Sequence, residues 1–418
     1  SIVKNGSGIL TLRGDNSDFA GETIINEGSV VYEAISSDDS YLGGSTSLAS
    51  NTSLTFDISS KAGEQIASNI SGTDDSDVLK SGAGNLILTG DNSGFNGQAN
   101  VHNGSLTYQV SSSDDNYFSG STFIASEATL IANVANLDKE GNEILDKTIG
   151  NITGGLSAIF VKNGSGRIQL IGNNNFTGTT TIEDGILAYT SDDGSYVSGD
   201  TVIKKNGILE YTVDTEDDLT DISGNGTLAK LGKGNLNLVG DNSKFNGSVS
   251  LLDGRLSYNS AGIDNKFITA GSYSIAQGAE LYINNSNSDT VTVSNLNAYT
   301  ESGFDFGSGD VIKEGKGTLN LIGDNSGFKG NLAINSGNVT FTKDDNTSYI
   351  SGNTNIASGA VLNYNTDIND TLENVSGSGI LNKGGDKELT FNANNNTGVD
   401  SLFTANANKG LSLIHIWR

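Results

Sequence analysis

The feature of this sequence that most constrains its fold is a long repeat marked by glycine. Copies of the segment G-x-G-x-L-x-L-x-G-D-N-S begin at Gly6, Gly82, Gly164, Gly232 and Gly315, and a degenerate copy begins near Gly384. The first five starts are about 77 residues apart on average. Self-similarity at a fixed period is typical of stacked structural units, in which each unit buries its apolar face against its neighbours.

A shorter glycine spacing within each copy predicts short strands joined by tight corners. Glycines stand at positions 6, 14, 21 and 28 of the first copy and at 82, 90, 97 and 104 of the second. Glycine permits the backbone conformations that sharp turns require. Three strands of about five residues fit between the first and last of these glycines. One coil of a three-sided solenoid needs this arrangement.

The phase of the strands is readable from alternation of apolar and polar residues. Leu10 and Leu12 alternate with Thr11 and Arg13, and the later copies repeat the pattern. Period-two alternation places one set of side chains inside and the other outside. The predicted inward residues of the later copies are Leu86, Leu88, Ile168, Leu170, Leu236, Leu238, Leu319 and Leu321. Tyrosine or phenylalanine recurs four residues after the fourth glycine, and we expect it to stack in or near the core.

These patterns predict an all-β chain that forms a single parallel β-solenoid, with about three coils in each repeat. We assign residues 1–405 to this repeat region and expect it to be incomplete at both ends. The chain has 0 proline residues. This fits a solenoid, because a strand with neighbours on both sides needs every backbone N–H.

Composition excludes several classes of function. The chain contains 0 cysteine and 2 histidine residues, so it has no disulfides, no thiolate metal site and no three-histidine site. Its net charge of −26 argues against nucleic-acid binding, which needs a basic surface. No stretch approaches the ~20 apolar residues of a membrane-spanning helix.

The two termini differ from the rest of the chain. Residue 1 is serine and the chain has no methionine, so we expect that it does not begin at a natural start. The last eight residues, 411–418, contain the only tryptophan, Trp417, together with His415. This segment resembles a translated sequencing adapter, and we expect it to be non-native.

The repeat resembles the passenger-associated repeat of bacterial autotransporters. The resemblance rests on the string G-x-G-x-L-x-L-x-G-D-N-S-x-F-x-G, then a β-branched strand, then G-x-L-x-Y. It implies a right-handed parallel β-helix that is exported and displayed on the bacterial surface. It also implies a C-terminal outer-membrane β-barrel in the native chain and a role of the repeat in translocation.

An acidic turn recurs in the repeats and is the strongest candidate for a metal site. Its residues are Asp38–Asp39, Asp114–Asp115, Asp192–Asp193 and Asp344–Asp345, each pair followed by a tyrosine. Carboxylate oxygens are calcium ligands, so weak Ca²⁺ binding is one interpretation. The favoured interpretation is a solvated loop that preserves solubility. If each of these turns lies on the same edge, the chain carries acidic clusters ~14 Å apart.

No residue is predicted to be catalytic, and no cofactor other than the weak Ca²⁺ candidate is predicted. A Ser-His-Asp triad could use only His102, which lies in outward phase at a corner. The Gly-Asp-Asn corners, such as Asp91–Asn92, are expected to be structural, because Asx side chains cap turns. The acidic residues belong to the repeat, whereas an active site would interrupt it.

The sequence thus favours a non-catalytic, surface-displayed stalk that supports adhesion or aggregation through many weak contacts. Its partner would be a host or bacterial surface ligand or a second copy of the chain. One alternative is the scaffold of a polysaccharide-acting or protease passenger whose active part lies elsewhere. A second alternative is a structural repeat protein of a surface layer.

Overall fold

The protein is a parallel β-solenoid, as predicted. A computed structural model describes residues 1–191, 199–260, 266–286 and 289–391, and these consist of strands and turns. These ranges contain no α-helix, and hence no helix long and apolar enough to cross a membrane. The chain forms two compact units, Ser1–Glu210 and Tyr211–Arg418. The tail at 411–418 lies outside the described residues.

The described part of the first unit contains nineteen complete strands. They are β1 (Ile2–Lys4), β2 (Ile9–Arg13), β3 (Thr23–Ile25), β4 (Ser29–Ala34), β5 (Thr46–Leu48), β6 (Ser53–Ile58), β7 (Glu64–Ser68), β8 (Ile70–Gly72), β9 (Asp77–Ser81), β10 (Asn85–Thr89), β11 (Gln98–Val101), β12 (Ser105–Val110), β13 (Ser121–Ile124), β14 (Thr129–Val134), β15 (Lys147–Gly150), β16 (Ile152–Gly154), β17 (Ile159–Asn163), β18 (Arg167–Ile171) and β19 (Thr179–Thr190). Strand β20 (Thr201–Thr212) contains the boundary between the units.

The second unit continues the strand pattern. Its strands are β21 (Glu216–Thr220), β22 (Ile222–Gly224), β23 (Thr227–Leu231), β24 (Asn235–Val239), β25 (Ser248–Leu251), β26 (Arg255–Asn259), β27 (Ser272–Ile275), β28 (Glu280–Asn284), β29 (Thr290–Ser294), β30 (Leu296–Ala298), β31 (Thr300–Glu301), β32 (Phe304–Asp305), β33 (Asp310–Glu314), β34 (Thr318–Ile322), β35 (Asn331–Ile334), β36 (Asn338–Lys343), β37 (Asn353–Ile356), β38 (Val361–Thr366), β39 (Asp370–Leu372), β40 (Val375–Gly377), β41 (Ile380–Gly384) and β42 (Leu389–Phe391).

Strands stack in parallel rows, and each row forms one side of the solenoid. In the first unit, β1, β3, β5 and β8 form one row and β2, β4, β6 and β9 begin another. The register pairs Ile2 with Thr23, Thr23 with Thr46, and Thr46 with Ile70, so one coil takes 21 to 24 residues. The third side starts with two turns, residues 14–20 and 36–44, joined by a bridge between Asp15 and Ser40. It continues with β7, β10, β12, β14 and β17.

Each repeat contains ten sides, which is three coils and one additional side. Strand β9 begins the second repeat as β1 begins the first, yet β9 lies in the row of β2, β4 and β6. The second unit shows the same step, because β33 begins a repeat as β23 does but lies in the row of β24, β26 and β28. Equivalent strands of successive repeats therefore lie on successive sides.

Because of this step, the first two acidic turns do not lie on the same edge, so the condition for clusters ~14 Å apart is not met. In the first unit, the turn of Asp38–Asp39 belongs to the side that continues with β7. The turn of Asp114–Asp115 instead stacks on the 91–95 corner, which stacks on β8 through a bridge between Gly72 and Phe95. The two turns thus occupy different sides, because ten is not a multiple of three.

The core lies along the inside of the coils and follows the predicted phase. Leu86, Leu88, Leu236 and Leu238 are at most 1 % exposed. Leu10 and Leu12 are only half-buried, because β2 pairs with β4 alone. Recurring aromatic rings pack edge to face in the interior, as Tyr32 does on Tyr41 with ring centres 5.3 Å apart. Their burial stabilises each coil only when neighbouring coils cover it.

Truncating a ring in this stack should destabilise the first unit. Phe95 is fully buried and lies 4.5 Å from Phe118 between ring centres. Phe95→Ala should lower the free energy of unfolding by about 3–5 kcal/mol, since it removes apolar contacts and leaves a cavity. Urea titration followed by circular dichroism measures the change. Phe123→Ala is the matched control, because Phe123 is 37 % exposed. Equal losses in both variants would contradict the assigned core.

Candidate functional site

The acidic turns form as local caps, in which an aspartate binds the backbone of its own turn. One carboxylate oxygen of Asp39 accepts hydrogen bonds from the backbone N–H of Ile35 at 2.7 Å and of Ser36 at 2.9 Å. Asp115 repeats this cap with the backbone N–H of Ser111 and Ser112 at 2.8 and 2.9 Å. These bonds use carboxylate lone pairs that a calcium ion would need.

The fifth repeat builds a related turn with different bonds. The Asp344 carboxylate accepts a hydrogen bond from the backbone N–H of Asn346 at 2.8 Å, and the Asp344 N–H donates to the Thr347 hydroxyl. The other aspartates of these turns, Asp38, Asp114 and Asp345, are exposed. Asp192 and Asp193 lie outside the described residues.

The described part of the chain contains no group of three or more His, Asp or Glu residues that could hold a metal ion. Calcium binding at the acidic turns therefore stays a prediction. The geometry itself supports a role in shaping the turns.

A polar groove lies beside the acidic turn in three of the repeats. The first is about 420 Å³ in volume and lies between residues 37–43 and β7. The second, about 390 Å³, lies between residues 113–119 and β15, and the third, about 300 Å³, between residues 348–351 and β39. Serine hydroxyls, aspartates and a tyrosine line all three. Grooves of this size can hold a small polar ligand or a short segment of one.

The grooves follow from the ten-sided repeat. A repeat takes three coils and one further side, so each repeat ends one side further around the solenoid than the repeat before it. A new row of strands therefore starts in each repeat. Strand β7 starts such a row. Within the residues that the structure describes, it pairs only with β10, as β15 pairs only with β18 and β39 only with β42. An acidic turn, not a strand, lies on the other side of each. An unpaired strand edge presents backbone N–H and C=O groups, so each groove can donate and accept hydrogen bonds.

A second recurrent feature, which the sequence analysis missed, is a buried lysine in each repeat. The Lys80 ammonium donates to the carbonyl oxygens of Ser81 and Gly82, both at 2.8 Å, and of Asn103 in the next coil at 3.1 Å. Lys162, Lys230 and Lys313 make the equivalent three bonds and are completely buried. Three N–H donors thus meet three carbonyl acceptors across two coils. The available signal was a lysine two residues before the first glycine of each copy.

Burial sets the charge properties of these lysines. It lowers the pKa of Lys80, Lys162, Lys230 and Lys313 to about 8. Each is therefore mostly protonated at pH 7 and can donate all three bonds. With its donors engaged and its nitrogen buried, this ammonium serves as a clamp between coils and not as a nucleophile.

The Gly-Asp-Asn corners are structural, as predicted, and they also join coils. The buried Asn92 side chain accepts a hydrogen bond from the N–H of Ile70 in the preceding coil at 3.0 Å and donates to the Thr89 carbonyl. Asp91 accepts hydrogen bonds from the hydroxyl and N–H of Ser93, and these bonds lower the pKa of Asp91. Equivalent asparagines are Asn174, Asn242 and Asn325.

His102 is exposed at a corner, as its phase predicted. Its backbone N–H donates to the Lys80 carbonyl at 2.9 Å. In the ranges that the structure describes, its side chain makes no hydrogen bond to a serine or an aspartate. The geometry gives this residue no catalytic partner there.

Removing the lysine clamp should weaken the stacking of neighbouring coils. Lys80→Met keeps much of the side-chain volume but leaves carbonyl oxygens without donors. We expect the free energy of unfolding to fall by about 2–4 kcal/mol, since each unsatisfied buried polar group costs about 1–3 kcal/mol. Denaturant titration measures the loss. Lys61→Met removes an exposed lysine and should change stability little. A stable Lys80→Met protein would show that the clamp is dispensable.

The lysine clamps should also make stability depend on pH. The folded pKa of about 8 lies below the ordinary value of 10.5, so the unfolded chain binds more protons between these values. The free energy of unfolding should therefore rise from about pH 8 to about pH 10. Above pH 10 the buried tyrosines oppose this, because burial raises the pKa of residues such as Tyr108. Urea titrations at pH 7, 8, 9 and 10 test the rise, and Lys80→Met should reduce it. A flat profile would contradict the lowered pKa values.

Comparison with known proteins matches four parts of this chain to one family. The family model described as Passenger-associated-transport-repeat matches residues 2–31, 78–107, 160–188 and 311–341. The matched segments begin at or near β1, β9, β17 and β33, which are the strands that start repeats. The copy near Gly232 lies outside these segments, yet β23 to β26 stack in the same order. These matches confirm the resemblance that the glycine spacing indicated.

Two curated proteins are similar over larger parts of the chain. "Adhesin BmaC autotransporter" of Brucella suis biovar 1 (strain 1330) is 26 % identical over 351 residues, which is 75 % of this chain and 10 % of that protein. "Uncharacterized lipoprotein YdeK" of Escherichia coli (strain K12) is 26 % identical over 258 residues, or 56 % of this chain and 18 % of that protein. The chain thus spans less than a fifth of either relative's length. No solved structure matches it.

Proposed function

Because this chain is built from passenger-associated-transport repeats, we propose that it is part of an autotransporter passenger and acts as a non-catalytic, adhesive β-solenoid stalk. The passenger would be displayed on the bacterial surface and anchored by an outer-membrane β-barrel. The similarity to an autotransporter adhesin supports this proposal.

One observation carries the adhesive role: the polar groove recurs at equivalent places in the first, second and fifth repeats. A single groove of this kind offers a few exchangeable hydrogen bonds and so binds weakly. Several grooves on one chain raise the effective concentration of the remaining sites once the first has bound. Because successive repeats are turned by one side, the grooves of the first and second repeats, both in the first unit, face different directions. Such a stalk can engage a surface that carries many copies of a polar ligand.

The repeated interior supports a role that is structural and not catalytic. Lysine clamps and asparagine corners recur at buried polar positions of the repeats, and their hydrogen bonds join coils. They provide no acid–base pair facing a cleft. A passenger of the same architecture with a catalytic module elsewhere is the second candidate, and a self-associating surface-layer protein is the third.

Surface display tests the adhesive role directly. The chain would be fused to the β-barrel of an unrelated autotransporter in a non-adherent strain. We expect adherence to cultured epithelial cells, or aggregation of the bacteria, to exceed that of the barrel alone. Surface exposure is checked with an antibody to an added epitope. Displayed chain that neither adheres nor aggregates would contradict the proposal.

Blocking the grooves tests whether binding is multivalent. Ser37→Trp, Ser113→Trp and Ser351→Trp each place a bulky ring at an exposed position of one groove. Each single variant should lower adherence about two- to threefold, and the triple variant should lower it more than about tenfold. Ser7→Trp, at an exposed position outside the grooves, is the matched control. Full adherence of the triple variant would exclude the grooves as the binding sites.

A further inference from the structure

The fourth repeat carries a projecting hairpin at a place where the other repeats have a short link. Between β30 and β33 the chain inserts the strands β31 and β32, whereas β8 and β9 are joined by residues 73–76 and β40 and β41 by residues 378–379. The register pairs Thr300 with Asp305 and Glu301 with Phe304 in antiparallel orientation. The strands of the neighbouring coils instead pair in parallel, as β27 does with β30 and β33 with β35. A local departure from a repeat indicates a purpose other than stacking.

The hairpin has a defined tip. Ser302 and Gly303 connect the two strands, and both have positive φ, 50° and 83°. Two such residues are typical of the tight two-residue turn whose twist matches that of paired strands. The tip is therefore a preferred conformation and not a loose loop.

One face of the hairpin is aromatic and exposed. Phe304 is 73 % exposed and Phe306 is 49 % exposed. The Tyr299 ring packs against Phe306 with centres 5.7 Å apart. Alternation along the strands places Tyr299, Glu301, Phe304 and Phe306 on the same face. Two large apolar rings held in water are typical of an interaction site.

Backbone bonds hold this face in place before any partner binds. The Phe306 N–H donates to the Tyr299 carbonyl at 2.9 Å, and the Phe306 carbonyl accepts from the Gln277 N–H at 3.1 Å. Asp305 accepts a hydrogen bond from the Gly307 N–H at 2.8 Å and lies 3.8 Å from the Lys329 ammonium. The face is already ordered before a partner binds, so binding would lose little conformational entropy.

The chemistry of the face selects a planar cation. Aromatic faces attract cations, and guanidinium also stacks on rings while pairing with a carboxylate. Glu301 supplies that carboxylate, opposite Phe304 in the register. The charge of the Glu301 carboxylate acts on the Tyr299 ring. Burial is the larger cause that raises the pKa of Tyr299, and the Glu301 charge is the smaller one. The net charge of −26 would also draw a basic partner toward the chain.

We propose that the face formed by Tyr299, Glu301, Phe304 and Phe306 is a docking site for an arginine-bearing segment of a protein partner. A guanidinium would stack on the phenylalanine rings while its N–H groups donate to the Glu301 carboxylate. This contact is independent of the polar grooves, and it adds a specific anchor to their repeated weak contacts.

Peptide binding to the purified chain tests the proposal. The probe is a fluorescent peptide of alternating glycine and arginine with five arginines, and the comparison peptide carries lysine in place of arginine. Anisotropy should show tighter binding of the arginine peptide. The double variant Phe304→Ser/Phe306→Ser should weaken it about tenfold, and Glu301→Gln about threefold. Phe123→Ser, which removes a partly exposed ring in the first unit, should leave binding unchanged.

Several outcomes would overturn the assignment. Equal binding of both peptides, or undiminished binding by the double variant, would show attraction by net charge alone. If sedimentation shows a dimer that is lost in Phe304→Ser, the occupant of the aromatic face is a second copy of the chain. Co-sedimentation with phosphatidylcholine vesicles that depends on Phe304 would identify a lipid surface instead. These readouts use purified protein, so they do not depend on adherence or on display. Far-UV circular dichroism confirms that each variant is folded.

Discussion

Most strands in the described part of this protein depend on the coils before and after them for their backbone hydrogen bonds. Register pairs such as Thr23 with Ile2 on one side and with Thr46 on the other place the N–H and C=O groups of one coil against two neighbours. A coil of 21 to 24 residues has too little apolar surface to offset its own ordering cost. Stacking supplies the missing burial, so stability is shared between neighbours and not stored in single coils.

The interior polar groups reinforce the same dependence. A buried ammonium is costly unless every proton finds an acceptor, and Lys162 meets this condition with the carbonyls of Asn163, Gly164 and Asp184. One of these carbonyls belongs to the next coil, so the lysine is satisfied only when that coil is in register. The Asn92 side chain likewise depends on register, because it accepts a hydrogen bond from the Ile70 N–H in the preceding coil. These groups make register specific, whereas the alternation of buried and exposed side chains alone would still allow a shift of about two residues.

The number of sides in a repeat explains where the chain can interact. A repeat of nine or twelve sides would place equivalent strands on the same side and leave no new row to start. Ten sides start a new row in each repeat, and in the first, second and fifth repeats the first strand of that row has one unpaired edge beside a groove. The surface grooves are thus a consequence of the winding of the coils. The aromatic hairpin at Phe304 is different, because it is an insertion that the winding does not require.

Much of the architecture could be predicted from residue spacing. Glycine intervals and the alternation at Leu86 and Leu88 determine strands, corners and the inward face, since these depend on local backbone freedom and period-two geometry. The repeat pattern also predicted that His102 is exposed and that the Gly-Asp-Asn segments form turns. The residue spacing could not show that a repeat has ten sides. Some sides of a coil are formed by turns and not by strands, and the sequence does not show which turns these are. Only the tertiary structure shows that Lys80 contacts Asn103 and that grooves lie beside β7 and β15. Both depend on residues of different coils, which are distant in the sequence.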